Sequence, residues 1–151
     1  MNITKQYIAG FIDGEGYLGI IRKTNTKCTQ GYYYKPVIKI AQTETASEIL
    51  RLIKDRYGGN ISKTREHKGL NQRGSVMLEL TSGVRVKRVL DDIQPSLFVK
   101  SRQAEILRKF IKLPRVINSF SKDKKLKIDA IKTDLYRNIM VLNKRGLAET
   151  E

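Results

Sequence analysis

The sequence predicts an α+β fold of order αββαββα, followed by extra helices at the C-terminal end. Three patterns predict it. Apolar residues recur at helical spacing in separate blocks, shorter blocks alternate apolar and polar residues as strands do, and Gly, Asn and Pro punctuate the boundaries between them. Residues 4–14 read as a helix with Thr4 as N-cap, and 17–23 and 32–42 as strands joined by a polar loop. Ile49, Leu50, Leu52, Ile53 and Tyr57 make 46–57 an amphipathic helix that Gly58-Gly59 ends. Strands at 60–66 and 75–81 flank a turn around Gly69-Leu70-Asn71. Beyond Ser82-Gly83 a helix runs to about Ile93, Pro95 breaks the chain, a helix covers about 99–112, and Pro114 stops it. The last helix, about 122–143, packs through Ile128, Ile131, Leu135, Ile139 and Leu142 and keeps Lys122, Lys124, Lys125, Lys127 and Lys132 solvated. The four strands make two hairpins of one antiparallel sheet, and the chain carries no internal repeat.

A length of 151 residues with 40% hydrophobic composition suits one folded unit with a core, so 1–151 is expected to be a single domain. Thirty Lys and Arg against 15 Asp and Glu give a net charge of +15, spread along the chain rather than gathered in a tail. Such a field favours a polyanion, nucleic acid first and an anionic membrane second. The membrane reading needs a long apolar span or a strongly amphipathic basic helix at one end, and the sequence has neither. A single cysteine, Cys28, excludes an internal disulfide, and with a single histidine, His67, it excludes a Cys/His zinc site, so a metal would be held by oxygen. Cys28 reads as a hairpin residue and His67 as a turn residue. The N-terminus enters a helix without a signal-peptide or transit segment, which predicts a protein that works where it is made.

The most informative stretch is Tyr7-Ile8-Ala9-Gly10-Phe11-Ile12-Asp13-Gly14-Glu15-Gly16. At 100° per residue Tyr7, Ile8, Phe11 and Ile12 fall on one side, expected to face a core, and Ala9, Gly10, Asp13 and Gly14 on the other. A helix face without long side chains lets a second backbone approach closely, and two glycines in one short helix, each costing about 1 kcal/mol relative to Ala, call for such a contact.

Ile8 to Gly16 resembles the nine-residue motif that names the LAGLIDADG endonucleases, with conservative changes at Ile8, Phe11 and Glu15, and Gly14 where the name has Ala. The resemblance continues through the following strand and helix order and covers nearly the whole chain. It implies a homing endonuclease that cuts both strands of a long pseudopalindromic double-stranded DNA by metal-dependent phosphodiester hydrolysis and promotes intron mobility. In that family the motif helices of two domains pack together, and the acid before the last glycine binds a divalent cation at the DNA. Here that acid is Glu15, and the Gly14 carbonyl at a helix C-terminus adds a second oxygen. Mg²⁺ is the implied ion, with Mn²⁺ or Ca²⁺ able to occupy the site. Ala9, Gly10 and Asp13 are expected at the helix interface, Asp13 as a capping or hydrogen-bonding residue. With one motif and no repeat, the second helix comes from a second copy, which makes a C₂ homodimer.

The resemblance further implies a glutamine at the end of the second strand and a lysine near the start of a later helix, both around the attacking water. Gln42 and Lys100 match. Relatives carry an arginine where this chain has Ala46, a departure that Lys63 or Arg102 would have to make good. Strand parity sets a basic face against the major groove: Tyr33, Lys35 and Lys39 in the second strand, Lys23, Asn25 and Lys27 around the first hairpin, Lys63 and Arg65 in the third strand, Met77 and Glu79 in the fourth, and Arg73 near the turn. Two other roles share the fold, an intron RNA maturase and a non-cleaving DNA-binding regulator. The presence of Glu15 and Gln42 speaks against a degenerate regulator, whereas a basic surface suits intron RNA as well as DNA. An architectural or ribosome-associated protein would explain the charge and leave the small-faced helix unexplained. Family habit points to an intron in an organellar genome, chloroplast or mitochondrial, or in a prokaryote.

Overall fold

The computed structural model describes residues 2–28, 30–65 and 74–144. Helix α1, Lys5–Glu15, starts where Thr4 accepts the Tyr7 N–H at 3.1 Å and ends where the Gly16 N–H returns to the Ile12 carbonyl. Strands β1, Gly16–Thr24, and β2, Tyr32–Thr43, form the first hairpin. A 3₁₀ turn, Glu44–Ala46, then leads into α2, Glu48–Tyr57, two residues later than the periodicity predicts because the turn takes up the first positions. Strands β3, Asn60–Arg65, and β4, Ser75–Thr81, form the second hairpin. Helices α3, Gly83–Ile93, α4, Ser101–Lys112, and α5, Lys122–Asn143, complete the predicted order, with Pro95 inside a 3₁₀ turn between α3 and α4.

The sheet is antiparallel with strand order β1-β2-β4-β3. One face carries Leu18, Ile20, Ile38, Ile40, Leu78 and Leu80, all buried, and meets the helices. The helices bring Ile8, Ile12, Leu50, Ile53, Leu90, Ile93 and Leu107 into the same core. Burying this set on one face is what orients the sheet, because a slip of one residue would turn every apolar side chain outward. α5 docks on the first hairpin through hydroxyls: Tyr32 donates to Asp129 at 3.0 Å, and Tyr34 and Thr133 share a hydrogen at 2.9 Å. At its far end Asn143 donates to the Leu18 carbonyl at 2.8 Å.

The turn between α2 and β3 depends on Gly58 and Gly59, at φ +82° and +106°, a region that side chains with a Cβ rarely adopt. Gly59 also leaves no room for a side chain, since a Cβ there would sit 2.8 Å from the Glu79 carbonyl oxygen.

The structure corrects the faces of α1. Ile8, Ala9 and Ile12 are wholly buried, while Tyr7, Gly10 and Gly14 are exposed. The outward strip is therefore Tyr7, Gly10, Phe11 and Gly14. Ala9 belongs to this chain's own core and cannot also lie on an interface; its methyl group sits 100° from Ile8, on the side where the sheet and helices close over α1.

Candidate functional site

The end of α1 enters β1 without a loop, so Glu15 is fixed at the border between a helix C-terminus and the first residue of the sheet. Its exposed side chain opens on the outer face of the sheet. There it borders a shallow hollow of about 340 Å³ with Tyr17, Ile21, Lys39, Ala41 and Met77. The Gly14 side of the helix end is open, with no atom within 4 Å of where a Cβ would lie. A second cleft, about 420 Å³ between Tyr7 and Leu52, lies at the opposite end of α1.

The α1 helix has no basic residue in its last turn to offset its partial negative end. Lys100 supplies that charge from the loop before α4, its ammonium donating to the Asp13 carbonyl. The Asp13 carboxylate in turn accepts from the backbone N–H groups of Phe98, Val99 and Lys100, at 3.2, 3.0 and 2.8 Å. Burial pushes the Asp13 carboxyl up, but these three N–H groups and the Lys100 charge outweigh it and hold the group below the usual carboxylate value. Asp13 thus turns into its own chain, where it clamps the loop that carries Lys100. The hydrogen-bonding role expected of Asp13 is met within its own chain, on the Ala9 side of α1 that faces the chain's own elements. Nothing in the local sequence signals a partner 85 to 87 residues away.

Gln42 closes β2. Gly16 lies opposite Ile40, so Gln42 extends two residues, about 7 Å, past the point where α1 joins the sheet. In register Gln42 pairs with Val76, and Val76 with Lys63, so the three form one row on the helix-side face. Lys63 and Arg65 are both expected on the outer face, but Lys63 shares the parity of Ile61, which pairs with the buried Leu78, and so lies opposite Val76 on the helix side. The register shift comes after Lys63 and sets Arg65 opposite Ser75. Lys63 is accordingly corrected from an outer-face residue to a neighbour of the turn after Gln42, where its ammonium lies 3.6 Å from Glu44. Ala46 stands exposed in that turn, and Arg102 lies in the first turn of α4.

The other strand residues lie as their parity predicts. Tyr17, Lys39, Glu79 and Asn60 make one row across all four strands on the outer face, and Lys23 with Tyr33 and Ala41 with Met77 make others. Lys35, also on this face, pairs with Glu79 at 3.7 Å. Val37 is buried there too, opposite Gly19, over which the Tyr17 ring lies. Asn25 and Lys27 sit in the β1–β2 turn, and the Asn25 side-chain oxygen accepts the Lys27 N–H at 3.0 Å. Arg73 lies outside the described residues. Among the described residues no helix is long and apolar enough to cross a membrane.

A helix end delivering an acid to a basic open sheet defines a class, and comparison with known proteins names it. The family model for LAGLIDADG endonuclease matches residues 8–84, just over half of the chain. The chain belongs to that family. Solved structures agree on the fold. The homing endonuclease I-CvuI, crystallised with the I-CreI target, superposes with a TM-score of 0.74 at 20% identity, covering 97% of this chain and 85% of that one. I-TnaI gives 0.70 at 18% identity over 94% and 97% of the two chains. The meganuclease I-CpaMI, bound to uncleaved DNA, gives 0.66 at 20% identity, with 93% of this chain covering 50% of that one. No curated protein matches the sequence.

Proposed function

We propose that two copies of this chain form a site-specific homing endonuclease that cleaves both strands of a pseudopalindromic double-stranded DNA and so promotes intron mobility. The observation that carries the reading is that the end of α1 delivers Glu15 to the outer face of an open basic sheet, with Lys100 held on the carbonyl of Asp13 two residues before it. The outward Gly10 and Gly14 let the same strip of a second α1 approach closely, and this brings two Glu15 residues together around one axis. The match to half of I-CpaMI supports a nuclease built from two such units.

The donor set fits a hard divalent cation. Glu15 offers an exposed carboxylate and Gly14 a carbonyl at a helix C-terminus, oxygen ligands of the kind Mg²⁺ prefers. Among the described residues no group of three His, Cys, Asp or Glu forms a site within one chain, and Glu15 and the Gly14 carbonyl would hold the cation together with oxygens from the second copy and the DNA. When bound, the cation supplies Lewis-acid polarisation of the phosphodiester. The chain's own residues do the positioning. The Gln42 amide orients the attacking water, and the Lys100 ammonium, held on the Asp13 carbonyl, offsets negative charge developing at phosphorus. Lys63, in the Gln42 row, supplies the basic group absent at Ala46. The outer face, through Lys23, Tyr33, Lys35, Lys39, Met77 and Glu79, lies in the major groove, with Arg65 and the basic turn residue Lys27 beside it.

The test is cleavage of a DNA library or host-gene DNA by purified protein with Mg²⁺ or EDTA, beside a Glu15→Gln variant. Metal-dependent double-strand cuts are expected, lost in the variant while Ca²⁺-supported binding persists. Tight binding without cutting under any divalent cation would overturn the reading in favour of a maturase or regulator.

A further inference from the structure

β2 is longer than the strand beside it. Its pairing with β4 starts at Val37 opposite Thr81, which leaves residues 32–36 running past the end of β4. After Thr81 the chain turns away at Ser82, φ +78°, into α3, so a notch opens beside β2. The notch holds about 570 Å³ and reaches from Tyr33 and Lys35 on the outer face of the sheet to Phe110 in α4 and Lys132 in α5. Four of its lining residues are cations, Lys35, Lys87, Arg115 and Lys132, and among the described residues none of the lining is an acid.

Two of these cations are already matched. Lys35 pairs with Glu79 at 3.7 Å and Lys87 with Asp91 at 2.9 Å. Arg115 and Lys132 have no ion pair among the described residues. Lys132 is half-buried, with its ammonium 5.4 Å from the centre of the Phe110 ring, an arrangement that favours a cation without neutralising it. Burial lowers the Lys132 value, Asp129 partly restores it, and the like charge of Arg115 lowers it again. Two mutually repelling cations in a partly apolar notch, with Asp129 nearby only partly offsetting one of them and no acid in the described lining, make a setting that an anion would relieve.

We propose that this notch is a phosphodiester-binding subsite, engaged by Arg115 and Lys132, for the DNA that flanks the cleaved sequence. The inference rests on the function proposed above. Its place in the sheet selects the ligand. Nine residues of extended strand separate Gln42 from Tyr33, about 30 Å, or about nine base pairs of B-form DNA. The notch is continuous with the outer face through Tyr33 and Lys35, so a duplex lying on that face meets it near the distal end of the half-site.

The experiment compares two duplexes carrying the cleaved sequence recovered from the library, one of about 40 base pairs and one trimmed to about 14, so that only the longer reaches the notch. Affinity is measured in Ca²⁺ for the wild type, for Arg115→Gln with Lys132→Gln, and for Arg115→Glu alone, which changes only an exposed residue. The wild type is expected to bind the long duplex about tenfold more tightly than the short one, and the double variant to bind both alike. On the long duplex its slope of log affinity against log salt becomes shallower by about 0.9 for each phosphate that the variant no longer neutralises. Cleavage of the short duplex by the variants at the wild-type rate shows that they fold. Variants that keep the length preference, or that weaken both duplexes equally, would overturn the subsite. So would inorganic phosphate binding at the notch without any length effect. A wild type that binds neither duplex would overturn the endonuclease reading instead.

Discussion

Asp13 and Lys100 hold each other twice, the Asp13 carboxylate accepting the Lys100 backbone N–H at 2.8 Å and the Asp13 carbonyl accepting the Lys100 ammonium. A residue of the motif helix thereby fixes both the backbone and the side-chain end of a lysine far along the chain. The two bonds act at different levels. The carboxylate sets where the loop before α4 sits, and the ammonium answers the negative end of α1, one residue from Gly14 and two from Glu15.

Asp13→Ala therefore separates positioning from folding. Water can replace the carboxylate at the largely exposed N–H groups of Phe98 and Val99, so the stability loss should be about 1 kcal/mol. The Lys100 ammonium loses its fixed seat, and displacement by about 1 Å is expected to slow cleavage about 100-fold. DNA affinity in Ca²⁺ should stay close to the wild-type value, and Asp13→Asn, which keeps one oxygen acceptor, should fall between the two. Single-turnover cleavage and Ca²⁺ binding measured side by side would check this; a parallel loss of affinity and rate would refute it.

Gly10→Leu examines the outward strip of α1. Among the described residues outside its own helix backbone, no atom lies within 4 Å of a Cβ at Gly10, so the isolated chain accepts the side chain, and removing a mid-helix glycine favours the helix by up to about 1 kcal/mol. The larger side chain holds a second α1 at a distance. The expected outcome is a well-folded monomer in sedimentation and a loss of double-strand cleavage. A variant that still sediments as a dimer would place the interface elsewhere.

The elements and their order were legible because apolar period and turn residues point the same way in each block, as in β4, where Val76, Leu78 and Leu80 face inward. Glu15 is a candidate through resemblance to the family motif, and Gln42 and Lys100 through the wider family resemblance, not through any pattern of their own. The misreadings have local causes. Ala9 is small enough to suit either a core or an interface, and only the packing around Ile8 and Ile12 decides which. Lys63 lies on the helix side because it follows the inward Ile61 by two residues, a parity that its charge masks, and the irregularity after it resets the pairing of Arg65. The Asp13 clamp and the notch at Arg115 and Lys132 join segments distant in sequence, and no periodicity within either segment encodes them.

Gly59→Ala isolates a backbone requirement remote from the site. The new methyl would meet the Glu79 carbonyl at 2.8 Å and Leu80 at 2.7 Å, with φ at +106°. Because β3 and β4 must part to admit it, a loss of about 2–3 kcal/mol is expected in denaturant unfolding. A change below about 0.5 kcal/mol would mean that the turn adopts another conformation.

Asp92 accepts from the Tyr57 hydroxyl at 2.8 Å and pairs with Lys5 at 2.9 Å and with Arg56 at 3.7 Å, tying α1, α2 and α3 together. Burial pushes the Asp92 carboxyl up, but Lys5 and the Tyr57 hydroxyl, helped by Arg56, pull it further down, below the ordinary 3.8. A carboxyl with a folded value below its unfolded one stabilises the fold fully above the unfolded value, and loses that contribution as pH falls through the folded value. Wild-type stability should therefore drop as pH falls below about 4, where the unfolded chain takes up a proton before the folded one does. Asp92→Asn should be less stable by about 1–3 kcal/mol at pH 7, since the hydroxyl and ammonium donors lose a charged acceptor. Its curve should be flatter in the acid limb and approach the wild type near pH 2. Urea unfolding at intervals between pH 2 and 7 would show this convergence. Parallel curves for the two proteins would mean that Asp92 draws no net stability from its charge, and that the helices are held by the apolar core alone.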